Sequence, residues 1–110
     1  MGSQWSKDKA YVQAKKSGYR SRAALKLKEI LKKNPVIRPD DNILDLGAAP
    51  GSWLQVLREM TDGILVGVDL NPINPIPGVT TIIGDFSDPV IIARIRELMP
   101  EVNGVVCDAS

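Results

Sequence analysis

The chain has 110 residues, 44% of them hydrophobic and 25% charged, enough for one small globular domain with a modest core. Its single cysteine excludes an internal disulfide, and the absence of histidine removes zinc sites and every imidazole-based acid, base or nucleophile relay. The formal charge of +1 conceals a division, because residues 1–33 hold ten Lys and Arg against Asp8 and Glu29, whereas residues 34–110 hold four Arg against eleven acids. A basic arm ahead of an acidic body suits a polyanionic partner, since neutralising phosphates releases condensed counterions. No apolar run approaches a membrane span and no secretory leader is evident, so a cytoplasmic chain with no membrane partner is expected. Any active-site chemistry then rests on Lys, Asp or Glu.

Residues 6–17 can form a short polar helix that ends near Gly18, and Ser21 is placed to cap a second helix running to Lys33, stopped by Asn34-Pro35. Along that helix Ala23, Leu27, Ile30 and Leu31 share one stripe at helical spacing. Arg22, Glu29 and Lys33 fall opposite, Leu25 points to the polar side, and Lys26 lies at the border, where its stem can rest on the core while its ammonium reaches outward. After a polar loop over 35–42, strand and helix patterns alternate: strand 43–46, helix 52–60, strand 64–69, strand 79–83, helix 89–99 and strand 105–108. Asp88-Pro89 joins an N-cap acceptor to a residue preset for the first helical turn, and the proline-rich stretch 71–78 must be a loop. The result is an α/β winding. Cys107, in the apolar run Gly-Val-Val-Cys, is expected to be a buried packing residue.

The most informative stretch runs from Ile43 to Trp53: an apolar strand, Asp45, a glycine turn and the start of an amphipathic helix. Its glycines are spaced G-x-x-x-G, not G-x-G-x-x-G, so the turn departs from the fingerprint that brings backbone amides to a pyrophosphate. It better suits the amino-acid end of S-adenosylmethionine, whose carboxylate asks for backbone amides and whose ammonium asks for carboxylates. Asp69 closes the second strand, where an acid accepts hydrogen bonds from ribose hydroxyls, and Asp85 follows the third in Gly-Asp-Phe, where it can accept an adenine amino proton beside the Phe86 ring. Asp108 ends the fourth strand at the same rim as Asp45 and Asp69.

The segments Arg20-Ser-Arg-Ala-Ala-Leu-Lys26, Asp45-Leu-Gly-Ala-Ala-Pro-Gly-Ser-Trp53, Asp69-Leu-Asn-Pro72, Gly84-Asp-Phe86 and Cys107-Asp-Ala109 resemble, in order, the FtsJ (RrmJ-like) family of S-adenosylmethionine-dependent RNA ribose 2′-O-methyltransferases. The resemblance implies a Rossmann-like methyltransferase fold, truncated after the fourth strand, with parallel order 3-2-1-4. It divides the chain into a basic helical extension over 1–34 and the first half of a cofactor-binding domain over 35–110. Lys26 and Asp108 match the first two members of a Lys-Asp-Lys-Glu catalytic set. Gly51, Trp53, Asp69, Asp85 and Asp108 match cofactor contacts, with Gly47 beneath the methionine moiety and Phe86 beside the adenine. Arg20, Arg22, Lys26 and Lys33 would face RNA.

The implied activity is methylation of a uridine 2′-hydroxyl in large-subunit ribosomal RNA, with ribosomal RNA or a 50S-type subunit as partner; a tRNA anticodon loop is the alternative substrate. The second Lys and the Glu of the set have no counterpart here, so these 110 residues are expected to be an inactive fragment that binds S-adenosylmethionine weakly or not at all, and that self-associates through the edge of the fourth strand, swaps elements with another copy, or is a piece left by proteolysis of a longer protein. Two other classes stay open: a non-catalytic RNA-binding module gripping phosphates with its basic arm, and a nicotinamide-dependent oxidoreductase, which the glycine spacing disfavours.

Overall fold

The computed structural model of the chain describes residues 18–108, so the helix expected over 6–17 lies outside the described residues. The elements run α1 (Ala23–Lys33), β1 (Ile43–Leu46), α2 (Ser52–Met60), β2 (Leu65–Asp69), β3 (Thr80–Ile83), α3 (Pro89–Leu98) and β4 (Gly104–Cys107). All strand pairings are parallel and the order is β3-β2-β1-β4, as the resemblance implies. The order reverses direction at β1, which pairs with β2 on one side and β4 on the other, and this places the topological switch at the β1–β4 crevice.

The two faces of the sheet follow from side-chain alternation. Ile43 and Leu65 face α1 and α2, meeting Ala24, Leu27, Leu31, Val56 and Leu57 in one cluster that Tyr19 closes. Leu44, Val66, Val68 and Ile82 face the other way, onto Ile95 of α3 and Met99 just beyond it. Helix α1 is therefore part of the layer that covers the sheet. Asp88 caps α3 as expected, accepting from the Val90 amide at 2.9 Å with Pro89 behind it.

Three local expectations are corrected. Arg22, not Ser21, holds the N-cap position of α1 and, having no acceptor on its side chain, makes no side-chain cap, while the Ser21 hydroxyl one residue earlier accepts from the Ala23 amide and pairs with the Ser52 hydroxyl on α2. The buried stripe of α1 is Ala24, Leu27 and Leu31; Ile30 is 42% exposed and Leu25 packs against the core. Cys107 is exposed, since α3 lies over β1 to β3 and leaves Val105 and Cys107 uncovered on that face of β4, while Val106 packs on the opposite face. Among the described residues no helix is long and apolar enough to cross a membrane.

Candidate active site

Asp45 shares a face of β1 with Ile43, two residues earlier, and so points toward α1 and α2 where those helices begin. Its side chain is 1% exposed, and Oδ2 has no hydrogen-bond partner among the described residues. Burial, and then the negative charges of Asp108 and Asp69, push its carboxyl up to about 7. It lines a cavity of about 190 Å³ with Ser21 and Ala23 from the start of α1, the turn residues Gly47, Ala48, Ala49 and Pro50, Ser52 and Trp53 of α2, and Asp108 after β4. That cavity lies at the switch point. Trp53 forms one wall and is held by its indole N–H, which donates to the Ala23 carbonyl at 2.9 Å.

A second cavity, of about 210 Å³, adjoins through Gly47 and is lined by Asp69, Leu70, Gly84, Asp85 and Phe86. The two together make a bipartite crevice along the carboxyl ends of β1 to β4, at the small end of the range for ligand sites. Gly47 is shared by both halves and has φ +72°, a left-handed conformation that glycine adopts without strain.

The sequence-predicted residues fall into three groups. Gly47, Trp53, Asp69, Asp85, Phe86 and Asp108 all line the crevice. Gly51 does not: it is buried at the left-handed N-cap of α2 (φ +110°), where a Cβ would meet Arg20 Nη1 at 2.9 Å and Ile76 at 3.0 Å. Lys26 is exposed on α1, three residues beyond the cavity-lining Ala23, and does not line the cavity itself. Arg22, Lys26 and Lys33 share the outward face of α1, Lys33 paired with Glu29 at 3.8 Å. Arg20 is set apart, its guanidinium bonded to the carbonyls of Pro50, Asn74 and Pro75 at 2.7, 2.7 and 3.0 Å.

The carboxylates also do work that sequence does not display. Asp69 accepts from the Ala49 and Asn71 amides at 2.9 and 2.8 Å, so it organises the turns on both sides of itself. The Gly47 and Ala48 amides donate to the Val68 carbonyl and the Ala49 amide to Asp69, so these three turn amides are engaged by β2, contrary to the expectation that the turn offers backbone amides to a ligand carboxylate. Asp85 accepts from the Ser87 amide and hydroxyl, and these bonds hold its carboxyl below the usual range. Sequence marked Ser21 only as a helix cap and did not assign Ser52 to the site; the small polar residue opening α2 directly after Gly51 was the available signal.

An open, doubly wound parallel sheet with an acid-lined crevice at its switch point defines a Rossmann-like ligand-binding domain. A family model described as FtsJ-like methyltransferase matches residues 19–110, and the chain belongs to that family. It is 86% identical over all 110 residues to the ribosomal RNA large subunit methyltransferase E of Methanospirillum hungatei and covers 53% of that protein. The protein of the same name from Methanoculleus marisnigri is 66% identical over 96% of this chain, which covers 51% of it. The crystal structure of a ribosomal RNA methyltransferase from Plasmodium falciparum superposes with a TM-score of 0.76 at 32% identity, over 84% of this chain and 57% of that one. The chain spans about half the length of the curated relatives it matches.

Proposed function

We propose that this chain is the S-adenosylmethionine-binding portion of an RNA ribose 2′-O-methyltransferase acting on a uridine of large-subunit ribosomal RNA. One observation carries the cofactor assignment: Asp45 and Asp108, with no Lys or Arg in the cavity lining, converge where α1 begins, and Asp45 keeps an unpartnered buried oxygen. An orphaned carboxylate oxygen in a buried acidic pocket fits a ligand that carries an ammonium and a sulfonium. The names of the relatives and the basic outward face of α1 support RNA as the methyl acceptor.

When bound, S-adenosylmethionine would supply an electrophilic methyl carbon, open to in-line attack by a hydroxyl oxygen that gives up its proton, with the C–S bond breaking and the sulfur leaving as a neutral thioether. Asp45 and Asp108 provide the negative potential at the methionine half of the crevice. Asp69, Asp85 and Phe86 provide acceptors and an apolar face for the adenosine half. Trp53 and the start of α1 exclude water from the side opposite the sheet. Lys26, exposed on α1 outside the cavity, takes with Asp108 the role the family pattern gives it, orienting the ribose hydroxyl. Arg22 and Lys33 hold phosphates without reading sequence.

Two measurements test this. Titration calorimetry of the full-length protein with S-adenosylmethionine and with NAD is expected to show binding of the first only; the reverse result restores the oxidoreductase reading. Transfer of a labelled methyl group by the full-length protein to large-subunit ribosomal RNA, followed by nucleoside analysis, is expected to yield 2′-O-methyluridine. Label on a base, or only on transfer RNA, overturns the substrate assignment.

A further inference from the structure

Arg20 was grouped with the RNA-facing cations, yet its guanidinium is the hub of a different arrangement. Nη1 donates to the Pro50 carbonyl in the turn before α2 and to the Asn74 carbonyl in the proline-rich loop after β2, both at 2.7 Å, while Nη2 donates to the Pro75 carbonyl at 3.0 Å. Its own backbone amide donates to Gln55 Oε1 at 2.9 Å, and Gln55 Nε2 returns a bond to the Gly18 carbonyl. The next residue, Ser21, pairs with Ser52, and Ala23 accepts from Trp53. Three successive anchors therefore stitch the approach to α1 onto the start of α2, and Arg20 alone also reaches the loop over 71–78. Gly51 fits this arrangement, because any larger residue would drive its Cβ into Nη1.

From this geometry we infer that Arg20 is a positioning residue for the cofactor cavity. It fastens the two loops to the segment whose Ser21 and Ala23 form the outer wall of that cavity. A planar fork of fixed donors can span carbonyls on two loops at once, whereas a lysine ammonium on a flexible stem cannot hold both in register. Because these donors are engaged with carbonyls, Arg20 acts on cofactor binding through the wall and leaves phosphate contact to Arg22, Lys26 and Lys33. The inference rests on the proposal that the crevice takes S-adenosylmethionine.

The test compares Arg20→Lys and Arg20→Ala with the wild-type full chain. At a temperature where all are folded, Arg20→Lys is expected to bind S-adenosylmethionine about tenfold more weakly, the scale set by losing charge-assisted bonds at a partly exposed site. The salt dependence of its binding to a single-stranded RNA oligonucleotide is expected to stay unchanged. Millimolar methylguanidinium should restore cofactor affinity to Arg20→Ala. Thr61→Ala, which removes bonds to the Pro39 and Asp41 carbonyls at the far end of α2, serves as a control that lowers stability without touching cofactor affinity. Wild-type cofactor affinity in Arg20→Lys, together with a reduced RNA salt slope in Arg20→Ala, would make Arg20 a phosphate contact and overturn the inference. If wild type itself fails to bind S-adenosylmethionine, the functional proposal fails, and solvent exchange of the Trp53 indole N–H still decides for Arg20. Faster exchange in Arg20→Lys supports the clamp, and equal exchange refutes it.

Discussion

Asp45→Asn isolates the titration of one buried carboxyl. In the unfolded chain Asp45 ionises near its ordinary 3.8, but in the fold burial and the charges of Asp108 and Asp69 raise it to about 7. Between those values the folded form retains a proton that the unfolded form has lost, so stability falls as pH rises through the window and the full penalty is present above about 7. The separation of about three units corresponds to about 4 kcal/mol. Urea denaturation of wild type and Asp45→Asn should therefore show a stability difference that moves in favour of the variant by about 4 kcal/mol between roughly pH 4 and pH 8. Ligand binding should carry the same signature with the opposite sense. A cationic ligand pairs with the ionised form, so S-adenosylmethionine affinity should rise with pH and be about tenfold weaker at pH 6 than at pH 8. Calorimetry in buffers of different ionisation enthalpy should register nearly one proton released per ligand bound at about pH 6 and almost none at about pH 8. Asp45→Asn should bind more weakly at the higher pH and lose this dependence. If the two proteins keep a constant stability difference across the window, or wild-type affinity is flat, the carboxyl is hydrated and the reasoning is wrong.

The two left-handed glycines should separate stability from binding. Gly47→Ala places a methyl in open space at φ +72°, so denaturation should show a loss of only about 1–2 kcal/mol while S-adenosylmethionine binding drops sharply. Gly51→Ala adds overlap with Arg20, Ile73 and Ile76 to the same backbone strain and should be the less stable of the two in urea. Lys26→Ala and Arg22→Ala, both exposed, should leave thermal stability within about 0.5 kcal/mol of wild type. Each should lower the salt slope of RNA binding by about 1. Asp88→Ala should cost about 1 kcal/mol through the lost bond to the Val90 amide, measured by chemical denaturation.

What sequence disclosed and what it withheld divide along the range of the interactions concerned. Strand periodicity, the glycine turn and the Asp88-Pro89 cap are local features, and the cap of α3 stands as expected, while the sheet order came from the family resemblance and also stands. The facing of α1 is not local. Its wheel permits Ile30 in the stripe, but α1 is turned so that Ala24 goes in and Ala23 offers its carbonyl to Trp53, a partner thirty residues away. Cys107 sits in a run that reads as core, yet its exposure depends on how far α3 extends across the sheet. Arg20 shows the limit most clearly, since a cation in a basic segment gives no sign that carbonyls 30, 54 and 55 residues away claim its guanidinium.

The same long-range bonds bear on the choice between ligands that the glycine turn leaves open. A dinucleotide pyrophosphate asks for unengaged amides and positive potential at the turn before α2. Here the amides of Gly47 and Ala48 are bonded to the Val68 carbonyl and that of Ala49 to Asp69, while Asp45 and Asp108 stand in the cavity lining with no Lys or Arg among its residues. Placing two phosphates there would bring like charges together with few donors to offset the repulsion. Under the proposed function, the ammonium and sulfonium of S-adenosylmethionine would offset the burial and the neighbouring charges that raise Asp45 and would offer a partner to Oδ2, while its carboxylate would need donors other than these three engaged amides. Asp69 contributes twice to this argument, because by accepting the Ala49 amide it withdraws a donor from the crevice and adds negative charge there in one contact.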